Sequence, residues 1–428
     1  EKFASYAFNK SHATCYSWVA FQTAYLKANY PSEYMAAVLT RNLQNIEQLT
    51  IYMSECKRMG IPVLGPDINE SMRQFSANEK GDIRFGLAGI KGGGEAAVES
   101  IITERERGGN YKDIYDFIER VNFSVVNRKC IESMAYAGAF DSISDCHRCK
   151  FFAPAPNDPS GPLFLEQLTS YGQRYQQERN NAQQSLFGGG VAADIRRPQI
   201  PMCEEWSQLE TLNHERDMIG LYLSAHPLDA YSVIVKNMHT TKLEELDHLD
   251  ELKNREVAVV GMVTDVQHMM TRNNRPWGRF KLSDYNGTHE FSLFGKDYEN
   301  FRNFVNKDYF LFVRGKVQPR MRWDKETGRS VATEEMEFKI LSMTQLAEMM
   351  DNIKSIQVRL PLPMIDKELS EELPKVLKKC KGKATLYVTV FEPETGVKVG
   401  FLSKGFKVEV SQELLAWLDE RDLDYSIA

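Results

Sequence analysis

Residues 89–94 read Gly89-Ile90-Lys91-Gly92-Gly93-Gly94 and run straight into a helix-like stretch at 95–107. No other stretch limits the fold as much. Three successive glycines permit positive φ and let the backbone come close to another molecule. A helix that begins there points its unpaired N–H groups, and the positive end of its dipole, at whatever lies against the turn. A phosphate suits such a place. There is no Gly-Lys-Ser/Thr, so this is not a Walker loop. The residues alone leave two readings: a turn that holds a phosphate backbone, or a turn between two packed elements.

At 428 residues the chain has material for about two to four domains. With 42% hydrophobic and 26% charged residues its composition is that of an ordinary globular chain. The net charge of −6 means that any basic surface must be local. No apolar run reaches membrane-spanning length, so no membrane partner is expected. Seven scattered cysteines, an odd number, suit a reducing cytoplasm. The opening residues are not a signal peptide and lack an initiator Met, so the chain is expected to be entered midway.

Ser11 is the expected N-cap of a first helix reaching about Asn29. Trp18, Phe21, Tyr25 and Ala28 would give it one apolar face. A second helix is expected from Ser32, and a third carrying Ile46, Leu49, Met53 and Cys56 before Gly60. Beyond the glycine turn, residues 111–120 and 127–137 read as two more helices, the second ended by Gly138. The turn at 122–127 lacks glycines, and Arg128 and Lys129 would supply charge in their place. Cys146-His147-Arg148-Cys149 invites a zinc reading, but structural zinc needs four ligands and the other cysteines look isolated, so no metal is expected. Residues 151–201 have linker composition around one helix at about 163–178. Within them, Gln183, Gln184, Ser185, Leu186 and Phe187 have the form of a docking peptide: a glutamine to hydrogen-bond, then two large apolar residues with no evident core to join. Residues 206–229 read as helical.

From Val257 the period changes to that of strands. Strands at 257–266, 277–283 and 289–294, a helix at 297–305, and strands at 309–317 and 335–340 follow the order of an OB-fold barrel. Arg272, Arg275, Arg279 and Lys281 are interleaved with Trp277, Phe280 and, further on, Phe291. Cations beside aromatics suit a single strand, with charge tracking the backbone and bases stacking on rings. Phe280 and Phe291 could equally fill the barrel; Trp277, expected at a loop tip, is the better contact. Residues 356–428 read as a small α+β domain, with strands at 356–360, 384–390, 397–401 and 406–410 and helices at 366–379 and 412–420. The Asp-x-Asp at Asp422 and Asp424 reads as a solvated tail.

Residues 85–95 resemble a helix-hairpin-helix hairpin. The stretches 8–40, 56–69, 85–95, 138–141 and 214–228, in that order, are similar to the alpha subunits of bacterial replicative DNA polymerase III, the C-family polymerases. The resemblance covers essentially the whole chain. It implies a multidomain α+β architecture: the end of a helical fingers region (1–80), tandem helix-hairpin-helix (81–145), a linker with helix and clamp-binding peptide (146–201), a helical connector (202–255), an OB-fold β-barrel (256–345) and a small C-terminal α+β domain (346–428). It implies contact of Asn9, Lys10, Ser11 and His12 with the incoming nucleotide. Lys91, Gly92, Gly93, Gly94, Arg128 and Lys129 would hold the backbone of duplex DNA, and the OB residues named above would hold single-stranded DNA. Gln183, Ser185, Leu186 and Phe187 would bind the sliding clamp, beta. The last domain would bind the clamp-loader tau subunit. Nucleotidyl transfer needs metal-holding carboxylates; the family's palm carboxylates lie upstream of these residues. Magnesium is therefore expected of the full-length enzyme, with no catalytic residue and no cofactor here. A non-enzymatic helix-hairpin-helix and OB-fold DNA-binding protein of repair is the alternative.

The peptide reading has a direct test. Replacing Leu186 and Phe187 together by Ala should remove at least about 2 kcal/mol of clamp binding, the scale of an interface hot spot. Clamp affinity and the thermal midpoint are measured on the same variant. A large fall in the midpoint would mark the two residues as core.

Overall fold

The computed structural model describes residues 10–143, 146–155, 158–184, 195–238, 240–324 and 328–427. Asn9, Ser185, Leu186 and Phe187 lie outside them. The chain divides into two compact units, Glu1–His226 and Pro227–Ala428.

The first unit runs α1 (Lys10–Asn29), α2 (Pro31–Arg41), α3 (Ile46–Arg58), β1 (Val63–Leu64), β2 (Ser76–Ala77), β3 (Ile83–Arg84), α4 (Glu95–Gly108), α5 (Ile114–Arg120), α6 (Arg128–Ala137), α7 (Phe164–Gln184) and α8 (Gln208–Ile219). Ser11 is not the cap of α1; the helix already includes Lys10. No residue of α1 is buried, and Trp18, Phe21 and Tyr25 are more than half exposed, so the apolar face expected there has no cover among the described residues. A three-stranded sheet not foreseen from sequence sets β3 between β1 (parallel) and β2 (antiparallel). Its strands are two residues long, too short for any periodicity to announce them.

One core joins the rest of this unit, from Leu39 and Leu49 through Phe85 and Ile101 to Phe117, Phe140 and Phe164. Buried Arg105 is satisfied by the Ile68 and Ser71 carbonyls, each accepting at 2.9 Å. α5 starts at Ile114, later than expected, because the Asp113 carboxylate accepts from the Asp116 amide at 2.7 Å and caps the helix there. Tyr111 instead turns inward, its hydroxyl donating to the Ile101 carbonyl. Arg120 clamps α4 to α5: its guanidinium donates to Glu104 and Asp116 and lies 4.5 Å from the Tyr111 ring centre. α6 is capped by Asn127 and ends at Gly138, which is left-handed at φ 82°. α7 runs past the expected end to Gln184, so Gln183 sits in its last turn rather than in a loop. The helix expected at 206–229 stops at Ile219, where Gly220 takes φ 99°.

The second unit runs α9 (Ser232–Asn237), β4 (Glu256–Met270), β5 (Pro276–Ser283), β6 (Thr288–Phe294), α10 (Lys296–Phe301), β7 (Phe310–Asp324), β8 (Arg329–Gln345), α11 (Leu346–Asp351), β9 (Ser355–Pro361), α12 (Lys367–Lys379), β10 (Lys381–Phe391), β11 (Lys398–Val408), α13 (Gln412–Glu420) and β12 (Asp424–Ile427). The OB strands pair in the order β6-β5-β4-β7-β8. The expected barrel is an open sheet, with β6 and β8 at its edges. Its curl is held by packing: the Phe291 ring of β6 lies 5.7 Å from that of Phe338 on β8. The last sheet is ordered β11-β10-β9-β12, with α12 crossing between the parallel β9 and β10. The two strands expected at 397–401 and 406–410 are one, β11. Nor is the Asp422–Asp424 stretch a solvated tail. Leu423 is buried, and β12 pairs with β9 from Asp424 onward. One core spans both sheets, joining Val260 and partly buried Phe310 and Phe312 of the OB sheet to Leu228, Val358 and Leu386.

Phe140 packs edge-on against Phe117, 4.9 Å between ring centres, and is 1% exposed. Phe140→Ala should cost about 3–5 kcal/mol of the first unit's stability. Urea unfolding followed by circular dichroism measures this; a loss under about 1 kcal/mol would mean that the core re-closes around the gap.

Candidate nucleic-acid interface

In the glycine turn, Gly92 and Gly94 take φ of 89° and 57°. They are glycines for different reasons. A Cβ on Gly92 would stand 2.8 Å from the Ser133 hydroxyl of α6 and 4.0 Å from Lys129 Cε. A Cβ on Gly94 would meet nothing within 4 Å; only its φ and the open space in front of it favour glycine. Gly93 is buried, and its carbonyl accepts the Cys130 thiol of α6 at 3.3 Å. Burial pushes that thiol up to about 11, so it serves as a neutral donor. The turn is thus seated on the first half of α6, and exposed Lys129 is brought beside it.

Gly94 is the N-cap of α4 and supplies no side-chain acceptor, so the first-turn amides have no cap side chain in front of them. Glu95 lies in that turn with Arg73 paired to it at 2.7 Å. Two residues named from sequence are otherwise engaged. The Lys91 ammonium donates to the Asp217 carbonyl at 2.9 Å near the end of α8. Arg128 pairs with Glu166 at 2.6 Å. Of the expected charges, Lys129 stands best placed to face a phosphate. Lys10, Ser11 and His12 lie exposed on the first turn of α1.

On the OB sheet, strand alternation sorts the expected contacts. Gly278, Phe280 and Leu282 of β5 point inward and are buried. Phe280 stacks on Phe291 at 5.1 Å, and they are 1% and 5% exposed. Both are core residues, a correction to their place among single-strand contacts. The outer face carries three rows across β4, β5 and β6: Met269, Trp277 and Phe294; Gln267, Arg279 and Ser292; Asp265, Lys281 and Glu290. Trp277 lies on β5 rather than at a loop tip. It stacks on half-exposed Phe294, 5.0 Å apart and 12° from parallel. Sequence reasoning missed Phe294 and Met269; two-residue alternation carried forward from inward Phe291 through Leu293 would have put Phe294 on the outer face. The Arg279 guanidinium donates to Gln267 Oε1 at 2.9 Å and lies 3.5 Å from Glu290. Lys281 stands in register between Asp265 and Glu290, so the third row has little net positive charge. Exposed Arg272 and Arg275 lie on the turn between β4 and β5, closed by Asn274 at φ 57° and next to the aromatic row. The long β7–β8 hairpin adds Arg320, paired with Glu335 at 3.3 Å, which the sequence reading did not consider.

The cysteines correct the reading of Cys146 and Cys149 as having no third cysteine near them. Cys203 Sγ lies 3.1 Å from Cys149 Sγ. Among the described residues no group of three or more His, Cys, Asp or Glu could hold a metal ion. No helix among the described residues is long and apolar enough to cross a membrane.

These two surfaces define a chain built of nucleic-acid-binding modules. Residues 60–150 match the helix-hairpin-helix motif family, 257–346 the OB-fold nucleic acid binding domain, and 356–428 the C-terminal domain of the DNA polymerase III alpha subunit. The chain is 33% identical to the DNA polymerase III subunit alpha of Saccharopolyspora erythraea over 94% of its own length and 33% of that protein's. The Thermus aquaticus subunit is 31% identical over 92% of this chain and 30% of its own. The Borreliella burgdorferi subunit is 36% identical over 74% and 26%. The chain is a homologue of DNA polymerase III alpha subunits and spans about a third of their length or less. Among solved structures, the S. cerevisiae mitochondrial single-stranded DNA binding protein Rim1 covers 22% of this chain and 94% of its own at 14% identity; its TM-score of 0.15 carries no argument.

Gly94→Val places a side chain where a phosphate would approach. It should weaken duplex binding equally across unrelated sequences, because phosphates carry no sequence information. Lys129→Ala should reduce the salt slope by about one. Fluorescence anisotropy over a salt series reads both; sequence-selective loss would count against the backbone grip. On the OB face, Trp277→Ala and Phe294→Ala should each cost about 1–3 kcal/mol of single-strand affinity if a base stacks on the pair. Unchanged affinity in both would remove the platform.

Proposed function

We propose that this chain is the DNA-gripping part of a replicative polymerase alpha subunit. The observation that carries the reading is the uncapped start of α4 at Gly94, with Lys129 of α6 beside the same turn. Amides and one cation on a close-approaching backbone suit duplex DNA gripped through its phosphates. The row of Met269, Trp277 and Phe294 beside Arg272 and Arg275 suits a single strand: bases stack on the rings while the arginines track the backbone. Two DNA forms on one chain fit the junction between primed duplex and unpaired template.

The finer roles rest on the family resemblance. Gln183, Ser185, Leu186 and Phe187 would tether the protein to the sliding clamp, and residues 356–428 would dock the tau subunit of the clamp loader. Asn9, Lys10, Ser11 and His12 would touch the incoming nucleotide. The working place is the cytoplasm. Magnesium belongs to carboxylates outside these residues, and this chain needs no cofactor of its own.

The division of labour has a simple test. Pure chain with magnesium, deoxynucleotides and a primed template should give no primer extension while still binding the primed duplex in a gel-shift assay. Magnesium-dependent incorporation would sink the assignment of catalysis to residues outside this chain. Absence of duplex binding would sink the grip.

A further inference from the structure

We propose that Cys149 and Cys203 form a dithiol site that a small-molecule disulfide such as oxidised glutathione converts to an intramolecular disulfide. The sulfurs lie 3.1 Å apart, 54 residues distant in sequence, and both are free thiols. Their segments are held side by side on either flank of the pair. On one side His147 Nε2 lies 3.5 Å from Glu205 Oε1. On the other, Phe152 stacks with Trp206 at 5.5 Å between ring centres, and Tyr136 stacks on Phe152 at 3.8 Å. The approach of the sulfurs is therefore built into the packing. Cys149 is buried; Cys203 is partly exposed and is the side from which an oxidant enters. Cys146 is buried and faces the same neighbourhood, but burial pushes its thiol up to about 12, making it the poorer nucleophile.

Burial, and then the contact with Cys149, push the Cys203 thiol up to about 11, with Lys150 opposing and Glu205 adding to the rise. It is mostly protonated at neutral pH, so the pair needs sustained oxidant. Cys203 loses its proton to solvent and attacks one sulfur of the glutathione disulfide, expelling one glutathione thiolate. Cys149 loses its proton and attacks the Cys203 sulfur of the mixed disulfide, expelling the second. The protein gives up two electrons, the glutathione disulfide accepts them, and the two thiolates take up the two protons. The new bond closes residues 149–203 into a covalent loop that contains α7 and residues 183–187. Oxidation then fixes both ends of the segment that carries the docking-peptide sequence.

The full chain is incubated with excess oxidised glutathione, blocked with N-ethylmaleimide and mapped by non-reducing peptide mass spectrometry. The expected result is a Cys149–Cys203 crosslinked peptide, loss of two of the seven titratable thiols, reversal by dithiothreitol, and a higher thermal midpoint in the oxidised form because loop closure restricts the unfolded chain. Cys146→Ser should leave the crosslink intact and Cys203→Ser should abolish it. The wild-type map needs no variant to fold. A crosslink to Cys146, no crosslink in chain shown to be folded, or a stoichiometric metal that shields the thiols until it is chelated would overturn the proposal.

Discussion

The contact between the glycine turn and α6 is the constraint on which the proposed duplex grip depends. Ser133 occupies the space where a side chain at residue 92 would go, and Cys130 donates to the Gly93 carbonyl. The turn cannot tilt away from α6 without losing that bond, and a side chain at residue 92 would push it away. α6 is itself fixed at both ends, by the Asn127 cap and by left-handed Gly138, whose missing Cβ leaves room for the Arg148 guanidinium. A backbone held this firmly presents its amides with little left to order on binding, which suits unpaired N–H groups to the phosphate contact proposed for them.

The OB sheet divides its side chains by parity. Inward residues build a core of Phe280, Phe291 and Leu293; outward ones expose stacked Trp277 and Phe294. A ring pair on the solvent side of a sheet offers a flat face that any base can use, which gives affinity without sequence preference. The charge left to track a strand's backbone in the proposed reading is that of Arg272 and Arg275 at the turn, since the basic residues within the strands face carboxylates and an amide of their own sheet.

The core shared by the OB sheet and the last sheet has a further consequence. Phe310 and Phe312 of β7 pack into the same cluster as Val358 and Leu386. Strain at one sheet is therefore felt by packing at the other, since close-packed cores transmit displacement. The C-terminal α+β region is joined to the OB sheet by that core and is not a separate bead on a linker.

The sequence by itself determined most elements and their order. Helical and strand periods and the Gly138 stop are local properties; they marked α3, α6, α13, β5 and β6 within a residue or two of where they lie, while β4, β7 and β8 run four to seven residues past their expected ends. It also marked the glycine turn, because only glycine tolerates that backbone. Tertiary structure decided the rest, because the deciding contacts join residues far apart in sequence. Packing, not composition, sent Phe280 inward and tied Lys91 to α8. It turned Asp424 into a strand residue by offering β9 as a partner, and it brought Cys203 across 54 residues to Cys149. Side chains with identical local propensity acquire different roles once a neighbour removes them from water or leaves them facing it.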